Sequence, residues 1–137
     1  DLAFESSDPW AEALREASGG QGADIVLEPV GAPTWTQSFA ALARGGRLVT
    51  YGSTGGDEVT PDLVPLFLGW RSVLGTTMGN AEDFAAMLAF VTRHRLAPVI
   101  DRVFPLAEGV EALTHLDWAG QFGKVVVEME AEQGADF

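Results

Sequence analysis

Apolar positions along the chain form short runs of two kinds. Runs without clean alternation, ended by glycine or proline, are typical of strands buried on both faces of a parallel sheet. They lie at 23–31, 47–51 and 72–77. Between them, apolar residues recur every three or four positions, as on one face of an amphipathic helix. This alternation of helices and strands predicts an α/β fold with a parallel sheet and helices on both faces.

Capping residues and glycines suggest where the helices begin and end. The first helix is predicted to have Asp8 as its N-cap and to end at Gly19 and Gly20. The second opens at Pro33 and ends at the Gly45-Gly46 pair, and one or two short helical turns are expected within 61–70. These assignments place the first helix before the first predicted strand and the later helical segments between successive strands.

The best helix pattern follows the third strand. Asn80 is a favourable N-cap, the first turn is acidic and the last turn is basic, which suits the helix dipole. The helical spacing predicts a buried face made of Phe84, Met87, Leu88 and Val91.

After Pro98 the pattern changes. A more exposed strand is predicted at 99–104, and a helix is predicted from about 106 to 117. The apolar side chains of that helix that we expect to be buried are Val110, Leu113 and Leu116. A loop and a final strand at 124–129 complete a strand-helix-strand segment.

Composition narrows the classes of function. The chain has 137 residues, of which 47% are hydrophobic, and a formal net charge of −12. That balance argues against binding to nucleic acid, and no apolar run approaches the roughly 20 residues of a membrane helix. The absence of cysteine excludes disulfides and is compatible with a cytoplasmic location. Because the first residue is not methionine, we expect the chain to have been processed, excised or cut out of a longer sequence.

Three glycine-bearing loops follow the three strands, at 28–31, 52–56 and 75–79. In an open parallel sheet, ligands bind at the carboxyl ends of the strands. Glycines would let a flat ligand approach the backbone closely. The hydroxyls that could hydrogen-bond such a ligand belong to Ser53, Thr54, Thr76 and Thr77.

Motifs for catalysis and metal binding are not found. The sequence has no G-x-G-x-x-G fingerprint, no P-loop and no G-x-S-x-G elbow. His94 lies near a helix C-terminus, where the dipole favours it. His115 has Glu111 one helical turn earlier, and a single such pair is only half of a metal site. We therefore predict no catalytic residue and no metal ligand.

Five segments, taken in order, resemble the C-terminal part of the medium-chain dehydrogenase/reductase superfamily, in its zinc-type alcohol dehydrogenase and quinone oxidoreductase branch. They are 23–31, 45–52, 72–78, 98–106 and 122–127. The resemblance implies the C-terminal half of a doubly wound Rossmann sheet, followed by a strand-helix-strand segment that completes a catalytic domain. On this basis, 1–97 would belong to the cofactor domain, 98–130 would return to the catalytic domain, and 131–137 would be a loose acidic tail.

The resemblance also implies a cofactor, NAD or NADP, and the residues that would contact it. They are Val30, Gly31, Gly52, Ser53, Thr54, Thr76, Thr77, Phe122, Gly123 and Lys124. The first two would lie near the ribose, the next five near the nicotinamide, and the lysine could meet a phosphate. The family's metal ligands belong to another part of the protein, so this chain is expected to bind no zinc.

The function implied is hydride transfer between nicotinamide and an alcohol, carbonyl, quinone or enone substrate, with the isolated chain inactive. Expected partners are a small-molecule substrate, an N-terminal part of the same protein, and a second copy paired through the strand edge at 72–77. A non-enzymatic dimerisation or interaction module of the same fold is an alternative. A methyltransferase is a further one, suggested by 43–49, but it would require a closing antiparallel strand pair.

Overall fold

The structure is a computed structural model that describes residues 2–5 and 7–129. It contains two compact units, Asp1–Met78 and Gly79–Phe137. The elements of the first unit are α1 (Trp10–Ala17), β1 (Ala23–Glu28), α2 (Ala32–Ala40), β2 (Leu42–Thr50), α3 (Leu63–Leu68) and β3 (Ser72–Gly75). Those of the second are α4 (Ala81–His94), β4 (Ile100–Pro105), a 3₁₀ helix (Leu106–Glu108), α5 (Gly109–Asp117) and β5 (Lys124–Glu128). The predicted order of helices and strands is confirmed, and the fold is α/β.

The first unit is built on a parallel sheet with the strand order β1-β2-β3. Its register pairs Glu28 with Thr50, and Thr50 with Gly75. The three strands therefore end at the same level, and the loops that follow them leave from one edge of the sheet.

The core of the first unit lies on one face of this sheet. Trp35 and Phe39 of α2 pack there with Leu42 and Leu48 of β2. On the opposite face, Ile25 is 57% exposed and Leu27 is 64% exposed. The prediction that the first strand is buried on both faces is thus wrong for the described residues. A continuous apolar run shows that both faces of a strand can be buried, but not that this chain contains the residues that would bury them.

Two predicted helix boundaries are also wrong. The second helix ends at Ala40, and Gly45 and Gly46 lie within β2. The pairing of β1 with β2 shifts register between Ala23 and Ile25, opposite these glycines, and Gly45 has a φ of +76°. The glycines therefore allow an irregularity in β2. At the first helix, Pro9 occupies the N-cap and no side chain caps the helix.

The helix α4 begins as predicted. Asn80 accepts hydrogen bonds from the amides of Glu82 and Asp83, and the Asp83 carboxylate accepts one from the Asn80 amide, which forms a capping box. The prediction of a buried face on α4 is wrong, because none of the residues of this helix is buried. The helical period correctly marks an apolar face, but a period does not identify what covers that face.

The second unit has a small core around a two-stranded parallel sheet of β4 and β5. Phe104 is 3% exposed, and Ala112 of α5 is buried as well. The prediction that Val110, Leu113 and Leu116 would be buried is wrong, because these side chains are exposed and α5 turns its small residue inward. The expected acidic tail at 131–137 lies outside the described residues.

None of the helices in the described part of the chain combines the length and hydrophobicity that crossing a bilayer requires.

Candidate functional site

The carboxyl edge of the β1-β2-β3 sheet brings three of the predicted loops to one place. Beyond the strand ends, the Tyr51 amide donates to the Glu28 carbonyl at 3.3 Å, and the Thr76 amide donates to the Thr50 carbonyl at 3.0 Å. The loops at 29–31, 51–56 and 76–78 therefore start side by side. Seven of the ten proposed cofactor residues belong to these loops.

The first two loops are joined by backbone hydrogen bonds. The Gly55 amide donates to the Val30 carbonyl at 2.7 Å, and the Ala32 amide donates to the Gly56 carbonyl at 2.9 Å. Gly31 has a φ of +92°, and a Cβ there would lie 2.1 Å from the Gly56 oxygen. The contact thus requires glycine at position 31, for both backbone conformation and space.

Gly52 has a similar steric role in the second loop. A Cβ added to it would lie 2.7 Å from the Pro29 carbonyl oxygen. The space that these glycines leave is filled by the neighbouring loop. The two loops therefore form one continuous surface, and the side chains of Ser53 and Thr54 are exposed on it.

A buried carboxylate supports this surface from below. Glu28, the last residue of β1, is 1% exposed. Its Oε1 accepts from the amides of Val30 at 2.8 Å and Gly31 at 2.9 Å, and its two oxygens accept from the hydroxyls of Thr34 and Ser38. Burial alone would raise the pKa of this carboxyl, but the hydrogen bonds together outweigh it and hold the pKa below its usual value.

An open groove of about 370 Å³ begins at the same edge and runs along the helical side of the sheet. Pro29, Val30 and Thr34 line its upper end, and Trp10 and Leu14 of α1 line the other side. The groove is largely apolar, and Glu28 and Ser38 are among the residues that line it. It gives the end of β1 a concave surface.

The remaining proposed residues, Phe122, Gly123 and Lys124, belong to the second unit. The Lys124 amide donates to the Val99 carbonyl at 2.8 Å, and Gly123 has a φ of +115° where a Cβ would collide with the same carbonyl. The Phe122 side chain is exposed. The return segment is therefore fixed against the start of β4 through its backbone.

Asp101 of β4 makes a second attachment for this segment. Its Oδ1 accepts from the Phe122 amide at 3.1 Å, and its Oδ2 lies 2.7 Å from Nε2 of His115. The hydrogen bond from His115, and then that from Phe122, lower the pKa of the Asp101 carboxyl. His115 therefore pairs with Asp101 and not, as its helical spacing suggested, with Glu111.

The described residues do not contain a set of side chains that could bind a metal ion. No group of three or more histidine or acidic side chains among residues 2–5 and 7–129 is arranged to hold a metal ion. The Asp101–His115 pair supplies only two ligands, so the residues present do not fit a zinc site. The hydroxyls and backbone of the strand-end loops do suit the polar groups of a nicotinamide nucleoside.

Comparison with known proteins decides the family. The model of the zinc-binding dehydrogenases matches residues 2–127. The chain belongs to this zinc-binding dehydrogenase family. The match covers both units, and it confirms the resemblance seen in the sequence. The methyltransferase alternative is wrong, because β4 and β5 pair in parallel where that class would need an antiparallel pair.

Relatives in this family come from both expected branches. The chain is 30% identical over 120 residues to an NAD-dependent alcohol dehydrogenase of Sulfolobus acidocaldarius, covering 86% of this chain and 35% of that protein. It is 30% identical over 125 residues to a quinone oxidoreductase of Lama guanicoe, covering 85% and 37%. A solved NAD-dependent alcohol dehydrogenase matches with a TM-score of 0.75 and 34% identity, covering 88% and 35%. The chain thus spans little more than a third of these dehydrogenases.

Sequence reasoning missed two residues that shape the candidate site. Glu28 and Asp101 were treated as ordinary parts of their strands, yet each carboxylate fixes the backbone of a proposed cofactor loop. A charged residue at the end of an otherwise apolar strand was the available signal for Glu28. Its hydroxyl donors, six and ten residues later, fall on one face of the following helix.

Proposed function

We propose that this chain is the cofactor-facing part of an NAD(P)-dependent oxidoreductase that transfers hydride between nicotinamide and an alcohol, carbonyl, quinone or enone. The observation that carries the proposal is the shared level at which β1, β2 and β3 end, which sets three loops along one edge of the sheet. This is the edge at which doubly wound sheets bind their ligands. The names of the alcohol dehydrogenase and quinone oxidoreductase relatives support both substrate classes.

Each strand-end loop has a proposed role in holding the cofactor. Val30 and Gly31 would lie near the ribose, and Gly52 would keep the second loop close to the first. Hydroxyls of Ser53, Thr54, Thr76 and Thr77 can donate to or accept from the carboxamide and ribose groups. When bound, the nicotinamide supplies the hydride chemistry, and these residues orient its ring.

The return segment has a proposed cofactor-binding role of its own. Phe122 offers an exposed aromatic ring, and Gly123 keeps the backbone against β4. Lys124 carries a positive charge in a chain whose net charge is −12, and we propose that it attracts a cofactor phosphate. Hydride transfer itself would need the rest of the protein, because this sequence has no glycine fingerprint for the pyrophosphate. The isolated chain should therefore show no turnover.

The proposal is tested by titrating the full-length protein with NADH and NADPH and following nicotinamide fluorescence. Wild-type protein should bind at least one of the two nucleotides. Replacing both hydroxyls in Ser53→Ala/Thr54→Val should weaken binding about tenfold, the loss expected for one or two hydrogen bonds. Thr36→Val, which removes an exposed hydroxyl on α2, is the matched control and should bind normally. No binding of either nucleotide by wild-type protein would refute the proposed function.

A second copy of the chain is the proposed protein partner. β3 is an edge strand of its sheet, and all four of its residues are exposed, including the apolar side chains of Val73 and Leu74. An exposed apolar edge strand tends to pair with another strand. Sedimentation of the full-length protein should show a dimer, and Leu74→Lys should shift it to monomer. An unchanged dimer in that variant would refute pairing through β3.

A further inference from the structure

Glu28 is a buried acidic side chain whose partners are all hydrogen-bond donors of its own chain segment. Two are backbone amides in the turn after β1, and two are hydroxyls on the first two turns of α2. No lysine, arginine or histidine in the described residues forms an ion pair with it. A buried carboxylate is costly unless such donors replace its water shell. The segment 28–38 therefore supplies a complete set of donors for this one group.

The Glu28 carboxylate holds the turn that connects β1 to α2. The amides of Val30 and Gly31, which precede the first helical residue, both donate to its Oε1. The hydroxyls of Thr34 and Ser38, which belong to α2 itself, donate to the same carboxylate. Glu28 therefore joins the end of β1 to the start of α2 and fixes the conformation of the turn between them.

The fixed turn also holds the neighbouring loop. The Val30 carbonyl accepts from the Gly55 amide, and the Ala32 amide donates to the Gly56 carbonyl. A shift of the 29–31 turn would break one or both of these bonds. The position of Ser53 and Thr54 therefore depends, through these backbone bonds, on the buried carboxylate of Glu28.

We propose that Glu28 is a positioning residue for the nicotinamide cofactor, whose carboxylate, bound to Val30, Gly31, Thr34 and Ser38, holds both strand-end loops in the geometry the cofactor requires. The inference rests on the proposed function. Glu28 is only 1% exposed and its oxygens already accept from donors of its own chain, so we expect it to touch neither cofactor nor substrate. Its effect on binding is exerted through the two loops.

The experiment measures the dissociation constants of NADH and NADPH with full-length protein carrying changes in this network. Glu28→Gln keeps the shape of the side chain but loses its charge and one of its accepting oxygens. Thr34→Val removes one donor at nearly constant volume, whereas Thr34→Ser retains the hydroxyl. Glu16→Gln neutralises an exposed carboxylate on α1 and is the charge-matched control.

We expect Glu28→Gln to weaken nucleotide binding about tenfold and Thr34→Val about threefold, because these changes act on the cofactor only through the loops and only part of the effect of a lost hydrogen bond to a charged group reaches binding. Thr34→Ser and Glu16→Gln should bind like the wild type. If Glu28→Gln does not fold, the Thr34→Val and Thr34→Ser pair still decides the question. The binding stoichiometry should stay unchanged in every folded variant.

Three results would overturn the inference in different ways. Wild-type binding with unchanged constants in Glu28→Gln and Thr34→Val would refute the positioning role and leave the proposed function intact. A lower stoichiometry or melting temperature with an unchanged dissociation constant would mean that the network serves folding alone. A wild-type protein that binds neither nucleotide would refute the proposed function itself, and the inference with it.

Discussion

Replacing Gly31 with alanine should separate the two interlocked loops. Gly31 precedes α2 with φ +92° and ψ −132°, a combination that is unfavourable for any residue with a side chain. An added Cβ would also lie 2.1 Å from the Gly56 carbonyl oxygen and 3.2 Å from Cα of Ser53. Both contacts are to backbone atoms, so no side-chain rotation relieves them.

The loss of stability in Gly31→Ala has two contributions, the unfavourable backbone conformation and the steric contact of the added Cβ. Unfavourable backbone dihedrals of this kind cost roughly 1–3 kcal/mol. Inserting a methyl group into closely packed structure typically costs about 1–3 kcal/mol more. Gly19→Ala provides the matched control, because Gly19 has a φ of +66° but nothing within 4 Å of its added Cβ. That variant should pay only the backbone cost of about 1–2 kcal/mol, and the change in unfolded-state entropy is common to both.

Native-state hydrogen exchange of the full-length protein measures the difference directly. The amides of Ala32 and Gly55 donate across the two loops and report on their separation. In Gly31→Ala both should exchange at least about tenfold faster than in Gly19→Ala, which corresponds to about 1.4 kcal/mol. Equal exchange in the two variants would refute the steric argument, since the loops would then tolerate a side chain at position 31.

Three further predictions concern other parts of the chain. Phe104→Ala should destabilise the second unit by about 3–5 kcal/mol in urea unfolding, whereas the exposed Val110→Ala should cost less than about 0.5 kcal/mol. Because hydrogen bonds lower the pKa of Glu28 in the folded state, its stabilisation is complete above the unfolded-state pKa and disappears as the pH falls through the folded-state value. Melting temperature should therefore fall less steeply on acidification in Glu28→Gln than in the wild type. Asp101→Ala should speed hydrogen exchange at the Phe122 amide, and unchanged exchange would show that Asp101 does not hold that segment.

Local signals in the sequence were sufficient for the order of the elements and for some helix ends. Asn80 with Asp83 three residues later is a complete capping box, and its partners all lie within four residues. Gly45 and Gly46 show where such reasoning stops. A glycine pair after an apolar helix pattern normally marks the end of a helix. Here the Gly45 amide donates to the Gly69 carbonyl, a contact that no local pattern contains.

The apolar faces illustrate a second limit. Helical spacing predicted which apolar residues share one side of α4 and of α5. Whether that side is buried depends on a neighbouring surface, which the spacing does not show. Val110 and Leu113 are 74% and 68% exposed, whereas the buried position of α5 is the small Ala112, which is 3% exposed. A sequence ranks residues by hydrophobicity, while packing against a sheet also selects by size.

In the candidate site, too, some features could be predicted from local pattern, whereas others depend on contacts between distant elements. The strand-end rule located the loops at 29–31, 51–56 and 76–78 because it depends only on strands being parallel and ending together. The carboxylates that hold those loops could not be found in this way. His115 had Glu111 at the ideal helical spacing, yet it binds Asp101, fourteen residues earlier on a strand. Spacing along one helix predicts which side chains can meet, and the competing partner on another element decides which ones do. Loop sites built on sheets should therefore be searched for buried or strand-end acids as well as for the loop residues themselves.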